Sequence, residues 1–99
     1  MPFKVGKYAR VEGQMRTLAD LAALAGIRQS YLDALRTMAR RLQDDPLEWG
    51  DPLYQAPHQS GIVCQALVGP LVVRYSVHES KSIVLIISIE PLFEWHIRP

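Results

Sequence analysis

The three histidines and the single cysteine are the side chains of this 99-residue chain that most often carry chemistry in proteins. His58, His78 and His96 are scattered along the sequence and show none of the close spacings used by metal sites. Cys64 has no second cysteine for a disulfide and lies in an apolar run, so we interpret it as a small buried side chain. A catalytic dyad of Cys64 with His58 is not supported. The sequence therefore predicts neither a metal nor an organic cofactor.

Basic side chains also occur in the second half of the chain, among them Arg74, Lys81, His96 and Arg98. A histidine that changes charge near pH 7 suits acid–base work, although the sequence places no second titrating group beside it. Each of these four side chains has a purely structural interpretation. Arg74 would form a cross-strand ion pair with Glu90, Lys81 would be hydrated in a turn, and the last two would lie in a frayed terminus.

Length and composition predict a single domain over residues 1–99, with 48% hydrophobic and 21% charged residues. The apolar runs at residues 21–25 and 83–87 are far shorter than the ~20 residues of a membrane-spanning helix. The N-terminus also lacks the basic and apolar regions of a secretory signal. We therefore expect a cytoplasmic protein with no membrane partner, and a homodimer is a reasonable expectation because so small a core leaves a thin margin of stability.

Charge is distributed unevenly although the net charge is only +1. Residues 1–43 contain eight Lys and Arg against three Asp and Glu, whereas residues 44–99 contain three against seven. This asymmetry is weak evidence for an anionic partner on the helical half of the chain, and an ordinary solvated helix surface explains it more simply.

Two helices are predicted after a short strand at residues 3–5. The first has apolar residues spaced by three or four, namely Val11, Met15, Leu18, Ala22 and Ala25. Gly26 supplies a turn, and Ser30 with Asp33 resembles a capping box for a second helix that ends before Pro46. The apolar stripe of that helix consists of Ile27, Tyr31, Leu35, Met38 and Leu42. Two such helices with a short turn form an antiparallel hairpin.

The rest of the chain is predicted to be a loop followed by strands. Residues 46–61 are rich in proline and glycine, which excludes regular helix and indicates an ordered loop anchored by Trp49, Tyr54 and His58. Strands follow at residues 62–67, 71–77 and 82–89, and the last is apolar on both faces, as an interior strand would be. The predicted fold is α+β: a short N-terminal strand, the helix hairpin, and a three-stranded antiparallel meander in one small twisted sheet.

Three stretches of sequence resemble the RelE/ParE superfamily of bacterial toxins. Residues 31–35, from Tyr31 to Leu35, and residues 41–54, from Arg41 to Tyr54, resemble the second helix and following loop of short RelE-like proteins. Residues 69–77, from Gly69 to Val77, resemble the strand that in this superfamily often reads Gly-x-x-Arg-x-x-Tyr. The likeness extends over nearly the whole chain and implies a RelE-like fold.

The resemblance implies a function in RNA or protein binding. Relatives that cleave messenger RNA on the ribosome use basic side chains on the sheet and near the C-terminus, without metal. Here the implied set is Arg74 on phosphate, Lys81 assisting, and His96 or Arg98 near the scissile bond. Val72, however, stands where the superfamily has its strand arginine, and Arg74 lies two positions later on the same strand face. We therefore expect a toxin-type protein, or a solitary degenerate relative of one, whose endoribonuclease activity is weak or lost.

The implied partners are an antitoxin protein and RNA or the ribosome. A rival interpretation begins at residues 17–35, which resemble a DNA-binding helix-turn-helix with its corner at Gly26. In that case Arg28 and Gln29 would open the recognition helix. Against this alternative, the third helix of a compact helical domain is missing from the pattern and the remainder of the chain is β.

Overall fold

The computed structural model of this chain describes residues 2–55, 61–93 and 95. The elements run in the order β1 (Lys4–Lys7), α1 (Ala9–Leu24), α2 (Arg28–Asp44), α3 (Pro46–Trp49), β2 (Asp51–Gln55), β3 (Ile62–Val68), β4 (Leu71–His78) and β5 (Ile83–Pro91). A short 3-10 turn, Glu79–Lys81, connects β4 to β5. Among the described residues, no helix has the length and apolar character needed to cross a membrane.

The helix hairpin forms where the apolar stripes predict it. Gly26 adopts φ +73°, the left-handed conformation that ends α1, and α2 stops at Asp44 ahead of Pro46. The expected capping box at Ser30 is wrong, because α2 begins at Arg28 and no side chain caps it. Its start is stabilised instead by the main chain, with the Tyr31 amide donating to the Ile27 carbonyl over 3.0 Å.

Five strands form one sheet in the order β1-β5-β4-β3-β2. The predicted meander is confirmed as β3, β4 and β5, which pair antiparallel in sequence order. Strand β5 is interior, as its apolar sequence predicts, because β1 pairs with it in parallel on the other side. The N-terminal strand thus joins the same sheet, at the edge opposite to β2.

The prediction of a loop without helix over residues 46–61 is wrong for its first part. Residues 46–49 form the one-turn helix α3, with Pro46 in the first turn, where its missing N–H has no cost. Strand β2 follows and pairs antiparallel with β3, with an irregular register between Pro52 and Tyr54. All five residues of β2 are exposed, so the strand carries no apolar alternation. The expected anchor His58 lies outside the described residues.

The two faces of the sheet are different in character. The face that packs against the helices carries Leu71, Val73, Tyr75 and Val77 of β4, which join the helical residues Tyr31, Met38 and Leu42 in one buried cluster. We call the other side the opposite face; on β4 it carries Val72, Arg74, Ser76 and His78, by strand alternation. Arg74, the candidate site residue on β4, therefore lies on the side of the sheet away from the helices.

Side chains of α1 complete the hydrogen bonding of β5 beyond the end of β1. The register between β4 and β5 shifts after Arg74, so Ile87 is an extra residue in β5. The Arg10 guanidinium donates to the Ile87 carbonyl from Nε and Nη2 over 3.3 and 3.2 Å, and the Ile89 amide donates to Gln14 Oε1 over 3.2 Å. The bulge is thus held by α1 rather than by a strand.

The beginning of the C-terminal tail docks on the turn between β3 and β4. The Leu92 amide and the Trp95 indole N–H both donate to the Pro70 carbonyl, over 2.8 and 3.3 Å. The Trp95 ring also meets Tyr31 edge-on, with 6.3 Å between ring centroids. Trp95 therefore packs against the core instead of pairing at a sheet edge.

Candidate functional site

Arg74 lies in the middle of β4 and its side chain is exposed on the opposite face. Its Nη2 donates to Gln65 Oε1 of β3 over 3.0 Å. The expected ion pair with Glu90 is wrong, since Glu90 is paired with Val72 and the β5 residue beside Arg74 is Ser88. The guanidinium is thus positioned by a neutral amide, and its positive charge is not neutralised by that contact.

A polar row crosses four strands at the level of Arg74. Its members, in sheet order, are Ser88 of β5, Arg74 of β4, Gln65 of β3 and Asp51 of β2. Because paired residues of neighbouring strands share a face, these side chains lie on the same side of the sheet. We refer to these four residues as the polar row. The sequence identified Arg74, whereas Gln65 and Asp51 depend on strand register and carry no local signal.

The structure does not bring Lys81 to Arg74. Lys81 is exposed in the 3-10 turn after His78, so it lies beyond the end of β4, roughly 13 Å or more along the strand from Arg74. His96 and Arg98 lie outside the described residues. The described part of the chain therefore supports a site built around Arg74 and leaves the tail residues as expectations.

A buried polar pair on β4 was not identified as a candidate from the sequence. Ser76 and His78 share the opposite face and are 4% and 9% exposed, and Ser76 Oγ lies 3.1 Å from His78 Nε2. The His78 ring packs over Gly61 of the chain segment before β3, where an added Cβ would approach His78 Cε1 to 2.6 Å. The close contact with Gly61 explains why His78 is buried at the end of a strand.

Tyr75 joins the sheet to the segment that leads into β2. Its hydroxyl donates to the Pro46 carbonyl and accepts from the Gly50 amide over 2.9 Å, and its ring stacks on Trp49 at 5.8 Å. Burial raises the pKa of the Tyr75 phenol well above its ordinary value of 10.0. Cys64 is fully buried, as the sequence predicts, and it is paired with Tyr75 across the strands. Burial likewise raises the pKa of the Cys64 thiol.

The surroundings of Arg74 offer an anion-binding group but little acid–base chemistry. Of its partners across the strands, Gln65 and Ser88 are neutral. The nearest histidine on the same strand face is His78, which is buried and engaged with Ser76. Val72, at the position that resembles the superfamily arginine, is half-buried on this same face with Glu90 as its partner. In the described ranges, no group of three His, Cys, Asp or Glu side chains could hold a metal ion.

The helix pair has features that bear on the helix-turn-helix alternative. Arg28 and Gln29 are both exposed at the start of α2, but the Gln29 amide donates to Asp33 Oδ1 over 2.9 Å. Asp33 also accepts from Arg36 over 3.1 Å, and at the other end of α2 Arg41 pairs with Asp45 over 2.7 Å. The apolar side of the pair is buried against the sheet.

An apolar groove lies between the helices and β1. Its volume is about 240 Å³. Most of the side chains around it are apolar, among them Val5, Met15, Leu35 and Met38, and Lys7 stands at its edge. Val5 is 38% exposed although it is a strand residue with a large apolar side chain. The groove is therefore a surface on which a protein segment could bury apolar side chains.

Comparison with known proteins identifies the fold. No model of a protein family matches the sequence, and no curated protein matches it. A solved structure does match: the archaeal RelE-RelB complex from Pyrococcus horikoshii OT3. The similarity covers 92% of this chain and 96% of that chain, with a TM-score of 0.65 and 16% sequence identity. The chain therefore has a RelE-like fold.

Proposed function

We propose that this chain, on the basis of its RelE-like fold and the chemistry of its sheet, is a toxin-type protein that binds RNA without cleaving it. The observation that carries the proposal is the exposed Arg74 in the middle of the opposite face, positioned by Gln65 while Val72 occupies the position of the superfamily arginine. The binding surface is the polar row and the side chains around it.

RNA binding is supported by the state of the Arg74 side chain. A planar guanidinium donates several hydrogen bonds and matches the geometry of phosphate oxygens. Because Gln65 occupies one N–H, the remaining donors stay available to a ligand. Lys81, at the end of β4, adds positive charge at longer range, and we include His96 and Arg98 of the tail as further contributors.

The absence of cleavage is supported by the neighbours of Arg74. Cutting RNA requires a group that activates the 2′-hydroxyl and one that protonates the leaving oxygen, each within hydrogen-bond reach. Gln65 and Ser88 do neither near neutral pH, and Glu90 places a negative charge beside Val72, where a phosphate would be repelled. The proposed protein is thus a degenerate relative of the ribonuclease toxins.

A protein partner of the antitoxin class forms the second part of the proposal. The matching structure is a complex of RelE with RelB, and the apolar groove beside β1 is a surface that such a partner would cover. Lys7 also lines the groove, so the partner segment is expected to be apolar with an acidic side chain near Lys7. Co-expression with a protein encoded beside this one, followed by size-exclusion chromatography, tests whether the groove has a dedicated partner.

Titration of labelled single-stranded RNA by fluorescence anisotropy tests the proposed binding surface. Arg74→Ala should weaken binding by about tenfold to a hundredfold, because a charge-assisted hydrogen bond contributes about 1.5–3 kcal/mol and about 1.4 kcal/mol is a factor of ten. The affinity should also depend less steeply on salt, with a slope smaller by about 0.7 for each phosphate that is no longer neutralised. The double variant Arg28→Ala, Gln29→Ala is the matched control and should bind RNA as the wild type does.

Two results would contradict the proposal. Loss of RNA binding in the Arg28→Ala, Gln29→Ala variant, together with selection of a particular duplex DNA sequence, would establish the helix-turn-helix alternative. Strong growth arrest on expression, with messenger RNA cut in a translating extract and both effects abolished by Arg74→Ala, would establish an active ribonuclease. The expected outcome is intact messenger RNA and little effect on growth.

A further inference from the structure

Part of β3 lies beyond the end of β2 and has no strand on its outer side. Strand β2 pairs with residues 62–65 of β3 and no further, because Asp51 is its first residue and lies opposite Gln65. Residues 66–68 of β3 remain paired with β4 on their other side. In the described part of the chain, nothing pairs with these three residues along the outer edge, so the sheet has a short open place for another strand.

The main chain of Leu67 points toward this open place. Gly69 and Pro70 form a two-residue connection between β3 and β4, so Val68 and Leu71 are the hydrogen-bonded pair beside the turn. Hydrogen-bonding direction alternates along an antiparallel strand, and residues 68 and 66 therefore bond to β4. The N–H and C=O of Leu67, between them, are directed outward. An extended peptide alongside would accept from one and donate to the other.

A cavity opens beside the same stretch of β3. Its volume is about 360 Å³, and Trp49, Leu53, Ala66 and Leu67 supply its apolar lining. The Leu67 side chain is 60% exposed, and Leu53 and Tyr54 of β2 are also exposed. Large apolar side chains gathered at a strand edge are expected to recruit a partner, because edges without one are usually protected by charge. A large apolar side chain of an added strand would fit in the cavity and occupy part of it.

The charges around the cavity specify the partner. Asp51 lines it together with Gln65, and Glu48 is exposed on the one-turn helix immediately before. The Arg74 guanidinium bonds Gln65 from the side of β4, away from the open edge. An incoming strand is thus favoured by positive side chains and disfavoured by negative ones.

We propose that residues 66–68 of β3 bind an extended peptide segment in which basic residues alternate with large apolar ones. The peptide adds a strand next to β3, bonds the Leu67 main chain, places an apolar side chain in the cavity and sets basic side chains near Asp51 and Glu48. This surface lies at the edge of the sheet remote from the groove beside β1. The chain therefore has a protein-binding site that is separate from the groove.

Binding of a fluorescein-labelled heptapeptide of alternating lysine and leucine to the full chain tests the proposal. The affinity is measured by anisotropy, and the Leu67 amide is followed in two-dimensional NMR spectra. We expect the Leu67 amide to shift and to exchange with solvent at least tenfold more slowly when peptide is bound. A peptide of alternating glutamate and leucine, and the lysine peptide with its central amide N-methylated, should each bind at least tenfold more weakly.

Protein variants separate this site from the others. Leu67→Glu should weaken binding of the lysine peptide at least tenfold, although it adds a favourable charge. The reason is that the peptide can no longer pack against the side chain of Leu67. Leu24→Glu, on an exposed helix position of similar 57% exposure, should change the affinity less than twofold. Arg74→Ala should also leave peptide affinity within twofold, so failure of the RNA proposal would not affect this result.

Three outcomes would overturn the inference. Equal binding of the lysine and glutamate peptides would remove the charge argument, and an unperturbed Leu67 amide would place the peptide elsewhere. Concentration-dependent association of the chain alone that disappears in Leu67→Glu would identify a second copy, rather than a basic peptide, as the occupant of the edge.

Discussion

Tyr75 is the residue whose single hydroxyl holds α3 and the start of β2 against the sheet. It donates to Pro46 and accepts from Gly50, and it is fully buried. An added Cβ at Gly50 would stand 2.6 Å from the Tyr75 hydroxyl oxygen, so the close approach depends on glycine. The connection between helix and strand is therefore determined by a contact 25 residues away in the chain.

The pKa of this phenol predicts how stability depends on alkaline pH. Burial keeps the folded-state pKa of Tyr75 above 10.0, so the unfolded chain loses this proton first as pH rises. The folded state then binds more protons than the unfolded state, and stability falls as pH increases above about 10. Cys64, whose pKa is also raised by burial, adds to the fall from about pH 9.

Urea unfolding between pH 7 and 11 measures this dependence. Tyr75→Phe should be less stable than wild type at pH 7 by about 1–3 kcal/mol, since Gly50 and Pro46 lose their partner. Its further loss of stability above pH 10 should be shallower than that of the wild type. Tyr8→Phe, which removes an exposed hydroxyl, should have nearly wild-type stability at pH 7. An alkaline slope equal in wild type and Tyr75→Phe would show that another group controls it.

The contact between Gly61 and His78 gives a second prediction at this scale. Gly61→Ala should lower the free energy of unfolding by about 1–3 kcal/mol, because the added methyl group must displace the imidazole from Ser76. Gly13→Ala is the matched control: its Cβ would meet nothing within 4 Å, and alanine should stabilise helix α1 by about 0.5–1 kcal/mol. Thermal and urea unfolding measure the free energy of unfolding of both variants. Equal changes in Gly61→Ala and Gly13→Ala would contradict the argument that Gly61 is required by the packing of His78.

At the scale of elements, helix α1 substitutes for a strand beside the bulge in β5. Gln14→Ala should cost about 1–3 kcal/mol of stability, since the Ile89 amide would have no partner, and should speed hydrogen exchange at Ile89 in particular. Gln29→Ala removes an exposed glutamine that bonds only its helix neighbour Asp33, and should change stability by less than about 0.5 kcal/mol. Unchanged exchange at Ile89 would show that water replaces Gln14.

The elements that could be predicted from sequence are those with their own periodic apolar pattern. The stripes of α1 and α2 and the apolar run of β5 are local signals, and each forms as expected. Strand β2 could not be predicted, because all its side chains are exposed and it contains Pro52. Helix α3 is a single turn held by Tyr75 and has no pattern of its own. The bulge at Ile87 is likewise determined by Arg10 and Gln14 of another element.

The candidate site was predictable to a similar degree. Strand alternation correctly places Arg74 on the face away from the core, together with Val72. The partners of Arg74 were not predictable, because Gln65 and Ser88 become its neighbours only through the register of three strands. The choice of Glu90 as its ion-pair partner was wrong for the same reason, since the register puts Glu90 at Val72.

For the molecule as a whole, each face and edge of the sheet is suited to a different task. The helices cover one face, and Arg74 with the polar row lies on the other. The edge at β1 borders the apolar groove, and the edge at β3 carries the exposed Leu67. The groove beside β1 lies at the other edge of the sheet, so a partner bound there would overlap with neither of the other ligands, whereas the β3 edge shares Gln65 and Asp51 with the polar row and is expected to compete with RNA.

The parallel pairing of β1 with β5 also governs how the chain matures as it is synthesised. Lys4 pairs with Ile83, so β1 has no partner strand until β5 has been synthesised. The interval between completion of α2 and β5 is about 2–10 s at about 5–20 residues per second. Throughout that time the apolar side of the hairpin has no finished sheet to cover it. The nascent chain is accordingly expected to be a client of chaperones that shield apolar helices until β5 has been made.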